Sequence, residues 1–333
     1  MTARFALLGA GRIGKVHARA VSSNPGAKLV AVADAFEKPA AELAAAHGAE
    51  VRSIDAIEAA GDIDAVVICT PTDTHADLIE RFARAGKAIF CEKPIDLDVA
   101  RVKACLAVVR DAGATLMVGF NRRFDPHFAA VRKAIDDGSI GKVEMVTITS
   151  RDPGAPPYDY IPRSGGIFRD MTIHDFDMAR FLLGEEPVFV SAHAAVLVDR
   201  KIGELGDFDS ATAILETVSG RQCVISNSRR ATYGYDQRIE VHGSKGMAAA
   251  ENQRPVSIEI ADGRGYTRPP LHDFFMTRYT EAYASEIAAF IGAMAAGGPA
   301  SPGGEDGLAA LMLAEAALKS VREGRRVRVD EIG

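Results

Sequence analysis

The 333-residue chain has no tryptophan and only four cysteines, Cys69, Cys91, Cys105 and Cys223. They are scattered, with no CxxC pair, which excludes a disulfide-stapled secreted scaffold and predicts buried free thiols. An excess of basic charge is also missing. The 39 Lys and Arg against 45 Asp and Glu leave a net charge of −6, whereas duplex-binding surfaces carry a clustered positive field. No nucleic-acid partner is expected. No apolar run approaches the roughly 18–20 residues that span a bilayer, and glycines break up the N-terminal MTARFALLGAGRIG where an export signal needs an unbroken apolar stretch. No membrane contact is expected, and the cytoplasm is the expected location. Internal repeats and low-complexity segments are likewise absent.

What is present is length enough for two domains and the apolar fraction, 47%, of an ordinary globular chain. In the first third, short apolar runs (RFALLGAG, KLVAVADA, AVVICTP, AIFCEKP, ATLMVGF) alternate with helical ones. Continuous apolar strands separated by helices predict a parallel, doubly wound sheet covered on both faces. After about residue 121 the pattern changes. A helix near 126–137 leads to the extended stretch GKVEMVTITSRD and then to a helix over 165–184. From about Val188, turn-separated strand runs predict a large, mostly antiparallel open sheet. Two helical stretches and a final strand candidate, RRVRVDEI, end the chain. The expected organisation is an α/β N-terminal Rossmann domain over 1–121 and an α+β substrate-binding and oligomerisation domain over 122–333.

FALLGAGRIGKVHARAV places Gly9, Gly11 and Gly14 in GxGxxG spacing between a strand and a helix. Gly9 permits the tight turn, Gly11 lets backbone approach a pyrophosphate, and Gly14 allows close helix packing. With Arg12 and Ile13 between them, these residues open the helix N-terminus whose N–H groups face the phosphates. About twenty residues on, Asp34 ends the second strand, suited to an adenosine ribose diol; a 2′-phosphate would meet like charge there, so NAD is expected over NADP. Thr70 and Pro71 end another strand at the edge where such sheets bind ligands. His75 beside them reads either as a helix-capping, locally satisfied histidine or as a catalytic one.

AIFCEKPI closes a further strand with Glu92, Lys93 and Pro94. Lys93 is suited to binding a substrate oxygen or relaying a proton, or else is an ordinary surface lysine. GGIFRDMTIHDFDMARFLLG gathers Asp170, His174, Asp175 and Asp177 on an amphipathic helix. Four residues make roughly one turn, so Asp170 and His174 are expected on one face. A metal site is the rival reading, but no second His or Cys cluster completes a coordination shell, and no metal is expected.

GAGRIG, CTPTDTHADLI and CEKPI, followed by GFNRRFDP, the 165–184 helix, YGYDQRIEVHGSKG and the C-terminal tail, resemble the Gfo/Idh/MocA dehydrogenases across essentially the whole chain. Within that family the helix looks most like that of inositol 2-dehydrogenases. The resemblance implies NAD-dependent oxidation of myo-inositol, or a close cyclic polyol, to 2-keto-inositol. It assigns Lys93, Asp170 and His174 to catalysis: His174 as base, Lys93 as substrate anchor and proton relay, and Asp170 as the acceptor orienting them, with the order of proton acceptance between Lys93 and His174 open. Glu92 and Arg122 join the cofactor-binding set, and Arg122, Asp152, Tyr235 and Tyr283 join Lys93, Asp170 and His174 as substrate contacts. Core packing competes for Tyr235, a turn role for Asp152, and a structural ion pair is the alternative for Arg123 beside Arg122. The Pro-rich SRDPGAPPYDYIPRSGG is expected to cover substrate. A homo-oligomer through the open sheet is expected, a tetramer by resemblance. Two alternatives remain: the same machinery acting on scyllo-inositol or an aldose, and a non-catalytic NAD-binding sensor.

Overall fold

The strands β1 (Ala3–Leu8), β2 (Ala27–Ala33), β3 (Glu50–Val51), β4 (Ala65–Ile68), β5 (Ala88–Cys91) and β6 (Leu116–Val118) form a six-stranded sheet in the order β3-β2-β1-β4-β5-β6. Every pairing is parallel. Their central residues, among them Leu7, Val66 and Phe90, are fully buried. Helices α1 (Arg12–Ser23), α2 (Glu37–His47), α3 (Ile54–Ala59), α4 (His75–Arg84) and α5 (Val99–Asp111) form the connections. A strand covered on both faces has no solvated side, which is why these runs are apolar throughout rather than alternating. The strand order reverses between β1 and β4, the point where doubly wound sheets open a ligand crevice.

The computed structural model describes residues 2–333, which cluster into two units. The second sheet is built from β7 (Val143–Arg151), β8 (Pro187–Ala195), β9 (Ser210–Thr217), β10 (Gln222–Ser228), β11 (Asp236–Gly243), β12 (Gly246–Ala250) and the short C-terminal strand Val327–Arg328. It runs β12-β11-β7-β10-β9-β8 and then that last strand. Only β7 and β10 pair parallel; the other pairings are antiparallel. Here burial does alternate. Val146, Ile148 and Ser150 of β7 and Cys223, Ile225 and Asn227 of β10 face inward, toward α6 (Pro126–Asp136), α7 (Ile161–Ser164), α8 (Gly166–Asp170) and α9 (Ile173–Leu183). All four cysteines are buried and unpaired, and burial pushes the Cys69, Cys91 and Cys223 thiols well above their ordinary range. Among the described residues no helix is long and apolar enough to cross a membrane.

Three expectations need correction. The stretch 122–333 is not one contiguous unit. The first unit takes residues 2–124, Thr280–Leu311 and Gly333; the second takes Asp125–Tyr279 and Met312–Ile332. The cause is the aromatic face of the helix Thr280–Ala296: Phe290 packs edge-on against Phe5 of β1 and Phe90 of β5, at 6.1 and 5.8 Å between ring centres, and Tyr283 packs against His17 of α1 at 5.5 Å. Hydrophobic periodicity marks a buried face without saying which sheet it covers.

The 165–184 helix is broken in two. Thr172 N–H donates to Ile167 O at 2.9 Å, one residue wider than an α-helical bond, while Met171 N–H donates to the same oxygen at 3.0 Å. The Thr172 hydroxyl oxygen lies 3.2 Å from the same carbonyl. Such a widened turn interrupts the ladder. Finally, RRVRVDEI yields only two strand residues before a tight helical turn over Val329–Ile332.

The Thr280–Ala296 helix is the test of this division. Phe290→Ala removes a fully buried ring from the first unit and is expected to destabilise it by about 3–5 kcal/mol, read as a lowered urea midpoint.

Candidate active site

The turn after β1 is built around backbone contact. Gly9 adopts φ +99°, and a Cβ on Gly14 would lie 1.9 Å from the Gly9 carbonyl oxygen. Only glycine fits either position. At Gly11 an added Cβ meets no atom within 4 Å, and no side chain caps the N-terminus of α1. The first-turn N–H groups therefore lack a side-chain acceptor and have open space before them, the requirement for a bound pyrophosphate. Arg12 is exposed and Ile13 half-buried in this turn.

Asp34 is locked to the same turn. Its carboxylate accepts from Ala10 N at 2.6 Å and Phe36 N at 2.8 Å, one bond per oxygen. Each oxygen keeps a second lone pair for a ribose hydroxyl. These residues fit a dinucleotide.

Thr70 and Pro71 lead out of β4, with the Thr70 hydroxyl 2.6 Å from that of Thr74. His75, 2% exposed, has Nδ1 2.8 Å from the Pro94 carbonyl and Nε2 2.8 Å from the Thr70 carbonyl. The ring thus sits between the turn after β4 and the turn after β5, a carbonyl facing each nitrogen. Burial pulls its pKa below the ordinary value, against both carbonyls. This is the locally satisfied histidine of the two sequence readings.

Lys93 is half-buried in the turn after β5. Glu92, 8% exposed, turns inward: Oε1 lies 2.6 Å from His17 Nε2, and Oε2 accepts from the Lys93 N–H at 3.3 Å. Arg122 is 5% exposed. Arg123 makes the structural ion pair, to Asp306 at 2.9 Å. Tyr283 is 6% exposed in the core of this unit.

In the second unit Asp170 closes α8 and His174 stands in the first turn of α9, on either side of the break. The Asp170 carboxylate accepts from the Tyr160 hydroxyl at 3.0 Å and from Arg229 Nη1 at 3.5 Å. Arg229, 1% exposed, reaches Asp207 with its other nitrogen at 3.4 Å. Burial raises the Asp207 pKa, opposed by the Ile167 N–H and Arg229. Asp175 is fully buried, taking Ser150 Oγ at 2.6 Å and Asn227 Nδ2 at 2.7 Å. Asn227 Oδ1 in turn accepts from the Thr172 hydroxyl at 2.7 Å. Asp177 is buried, with Arg180 at 3.8 Å. Asp152 directly follows β7, its N–H bonded to Ser228 O. Tyr235, 6% exposed, packs its ring on Phe274 and Tyr279.

Sequence reasoning did not select Ser150, Tyr160, Asp207, Asn227 or Arg229. A signal for two of them existed. The inward period of β10, Cys223 and Ile225, continues into Asn227 and Arg229, polar residues on a face patterned for core.

Comparison with known proteins supplies the family. Residues 3–120 match the NAD-binding Rossmann fold of an oxidoreductase family, and 128–249 match the GFO/IDH/MocA C-terminal domain. The chain belongs to the GFO/IDH/MocA oxidoreductases. This family member is 77% identical to inositol 2-dehydrogenase of Rhizobium meliloti, over 99% of this chain and all of that protein. The crystal structure of a myo-inositol dehydrogenase from Corynebacterium glutamicum superposes with a TM-score of 0.95 at 46% identity, covering 98% of this chain and 99% of that one. A scyllo-inositol dehydrogenase from Lactobacillus casei, with bound NAD(H) and scyllo-inositol, gives 0.92 at 28% identity over 99% of this chain and all of that one. As a GFO/IDH/MocA member, the chain is an oxidoreductase that uses NAD.

In this oxidoreductase the contact beneath the glycine turn is the sharpest target. Gly14→Ala forces a methyl group into the Gly9 carbonyl and is expected to weaken NAD binding by about tenfold or more, measured by calorimetric titration of NAD⁺, with a lowered melting temperature.

Proposed function

We propose that the protein oxidises myo-inositol at C2 to the 2-keto product, with NAD⁺ as oxidant. The single observation that carries this reading is the 77% identity to an inositol 2-dehydrogenase over the full length of both chains. Bound NAD⁺ supplies a hydride acceptor at nicotinamide C4.

The chain's own residues have three tasks. Lys93, at the carboxyl edge of the parallel sheet, anchors the substrate oxygen with its ammonium group and relays its proton. The imidazole of His174 accepts a proton near neutral pH. Asp170 serves as a fixed acceptor orienting hydroxyl and lysine, a role supported by the Tyr160 and Arg229 bonds that hold its carboxylate. Arg122, Asp152, Tyr235 and Tyr283 complete the proposed substrate set. Gly9, Gly11, Arg12, Ile13, Gly14, Asp34, Thr70, Pro71 and Glu92 line or support the proposed cofactor site with Lys93 and Arg122.

The protein is further proposed to act as a homotetramer in the cytoplasm, in inositol catabolism. Association through the outer face of the second sheet is supported by Met145, Ile214 and Met247, each about half exposed on it. The reducing location is supported by four unpaired cysteines.

A panel of inositol stereoisomers and aldoses, offered with NAD⁺ and NADP⁺ and followed by absorbance of the reduced nicotinamide, is expected to show myo-inositol with NAD⁺ as the best pair. A better rate with scyllo-inositol or an aldose reassigns the substrate; no turnover of any cyclic polyol removes the proposal. Lys93→Ala is expected to lower kcat by about 10²–10⁴-fold while NAD⁺ still binds. Retained turnover would sink the assignment of Lys93.

A further inference from the structure

Two buried ionisable groups in the first unit, Glu286 and His17, have no assigned part in the proposed reaction. Helix Thr280–Ala296 turns Tyr283, Glu286, Ile287 and Phe290 inward. A carboxyl group therefore stands in a stripe otherwise made of core residues. Glu286 is 0% exposed, and neither of its oxygens has a hydrogen-bond partner. A bare carboxylate so placed is very costly, and buried polar groups left open in a native core call for an unseen partner.

A second open group lies on the same side. His17 of α1 is also fully buried. Its Nε2 lies 2.6 Å from Glu92 Oε1, while Nδ1 has no partner. The ring of Tyr283, one helical turn before Glu286, meets the His17 ring edge-on at 5.5 Å, which brings this face of the helix against His17. Burial first, and then the charge of Glu92, push the Glu286 pKa well above the ordinary glutamate range. The three side chains thus occupy one neighbourhood, with open polar atoms on two of them.

We propose that Glu286, His17 and Glu92 form a buried proton-sharing site around an internal water, with Glu286 a neutral acid and His17 a positioning residue that holds Glu92 behind Lys93. The two Glu286 oxygens and His17 Nδ1 provide three polar partners, the number that a buried water commonly takes. Glu92 transmits the arrangement. One of its oxygens meets His17 and the other accepts the Lys93 N–H at 3.3 Å. Gly119 faces the same carboxylate: a Cβ there would lie 3.1–3.2 Å from the Glu92 carboxylate atoms, so a side chain at this position would crowd it. This last step rests on the assignment of Lys93 to the reaction.

A high-resolution crystal structure of the full chain is expected to show water density bonded to Glu286 and His17 Nδ1; an empty or apolar-filled space there overturns the site. The infrared spectrum of the native enzyme at mildly alkaline pH is expected to contain a protonated-carboxyl stretch that Glu286→Gln removes, and its absence from the native spectrum overturns the neutral acid. For the positioning role, His17→Gln is expected to lower kcat about tenfold with little change in the NAD⁺ dissociation constant. Unchanged kcat in a folded His17→Gln enzyme overturns that role. If this variant fails to fold, Gly119→Ala, which crowds the Glu92 carboxylate, is expected to lower kcat likewise, and an unchanged kcat there overturns it too. Were Lys93→Ala to keep full turnover, the assignment of Lys93 would fail while the water and the infrared band stood.

Discussion

The contact between Gly14 and the Gly9 carbonyl sets the geometry on which the cofactor end depends. A parallel sheet must release each strand into a helix that returns across its face, and after β1 this happens with backbone against backbone. The closeness aims the first turn of α1 outward past Gly11 with its N–H groups uncapped. The same turn fixes Asp34, because the amide of Ala10, between the first two glycines, is its closest hydrogen-bond donor. The proposed phosphate cradle and ribose acceptor are therefore one hydrogen-bonded construction. In the proposed cofactor site this places a carboxylate beside the adenosine ribose, where a 2′-phosphate would meet like charge.

Strand-end turns elsewhere in the first unit are braced from behind by buried histidines. His75 sits between the turns after β4 and β5 with a main-chain carbonyl at each ring nitrogen, and His17 meets the carboxylate of Glu92 beside Lys93. Both rings are nearly or wholly buried. A functional side chain on a loop is only as well placed as the backbone beneath it, and here that backbone is tied by hydrogen bonds that cannot be exchanged for water.

Much of this was legible in the sequence, for physical reasons that also mark the limit. The parallel sheet could be read because its strands are buried on both faces and so appear as unbroken apolar runs. The glycine turn could be read because its spacing reflects a steric demand that no other residue meets. The break between α8 and α9 was hidden, since Met171 and Thr172 keep helical backbone angles and the hydrophobic period runs on through them. What breaks the ladder is a long-range arrangement: Thr172 is engaged by Asn227 of β10, which also holds Asp175, which in turn takes Ser150 of β7. Strand pairing sets Asn227 directly beside Ser150, and a register across two strands is not visible as local periodicity. The assignment of the Thr280–Ala296 helix to the first unit was hidden in the same way.

The opening of the 165–184 segment into two helices gives its carboxylates distinct roles. Asp175, after the break, is wholly enclosed and its two oxygens are consumed by Ser150 and Asn227, so it stabilises the turn. Asp170, before the break, is only half-buried and is held by Tyr160 from a loop and Arg229 from behind. Arg229 itself lies between Asp170 and Asp207, so the buried guanidinium has a carboxylate on each side and is compensated without needing to move. A carboxylate oriented by a buried cation, at the edge of a widened turn rather than inside a regular helix, is a fixed acceptor with one side left toward solvent. That combination suits the orienting of a hydroxyl group better than the shuttling of a proton, which supports the acceptor role proposed for Asp170.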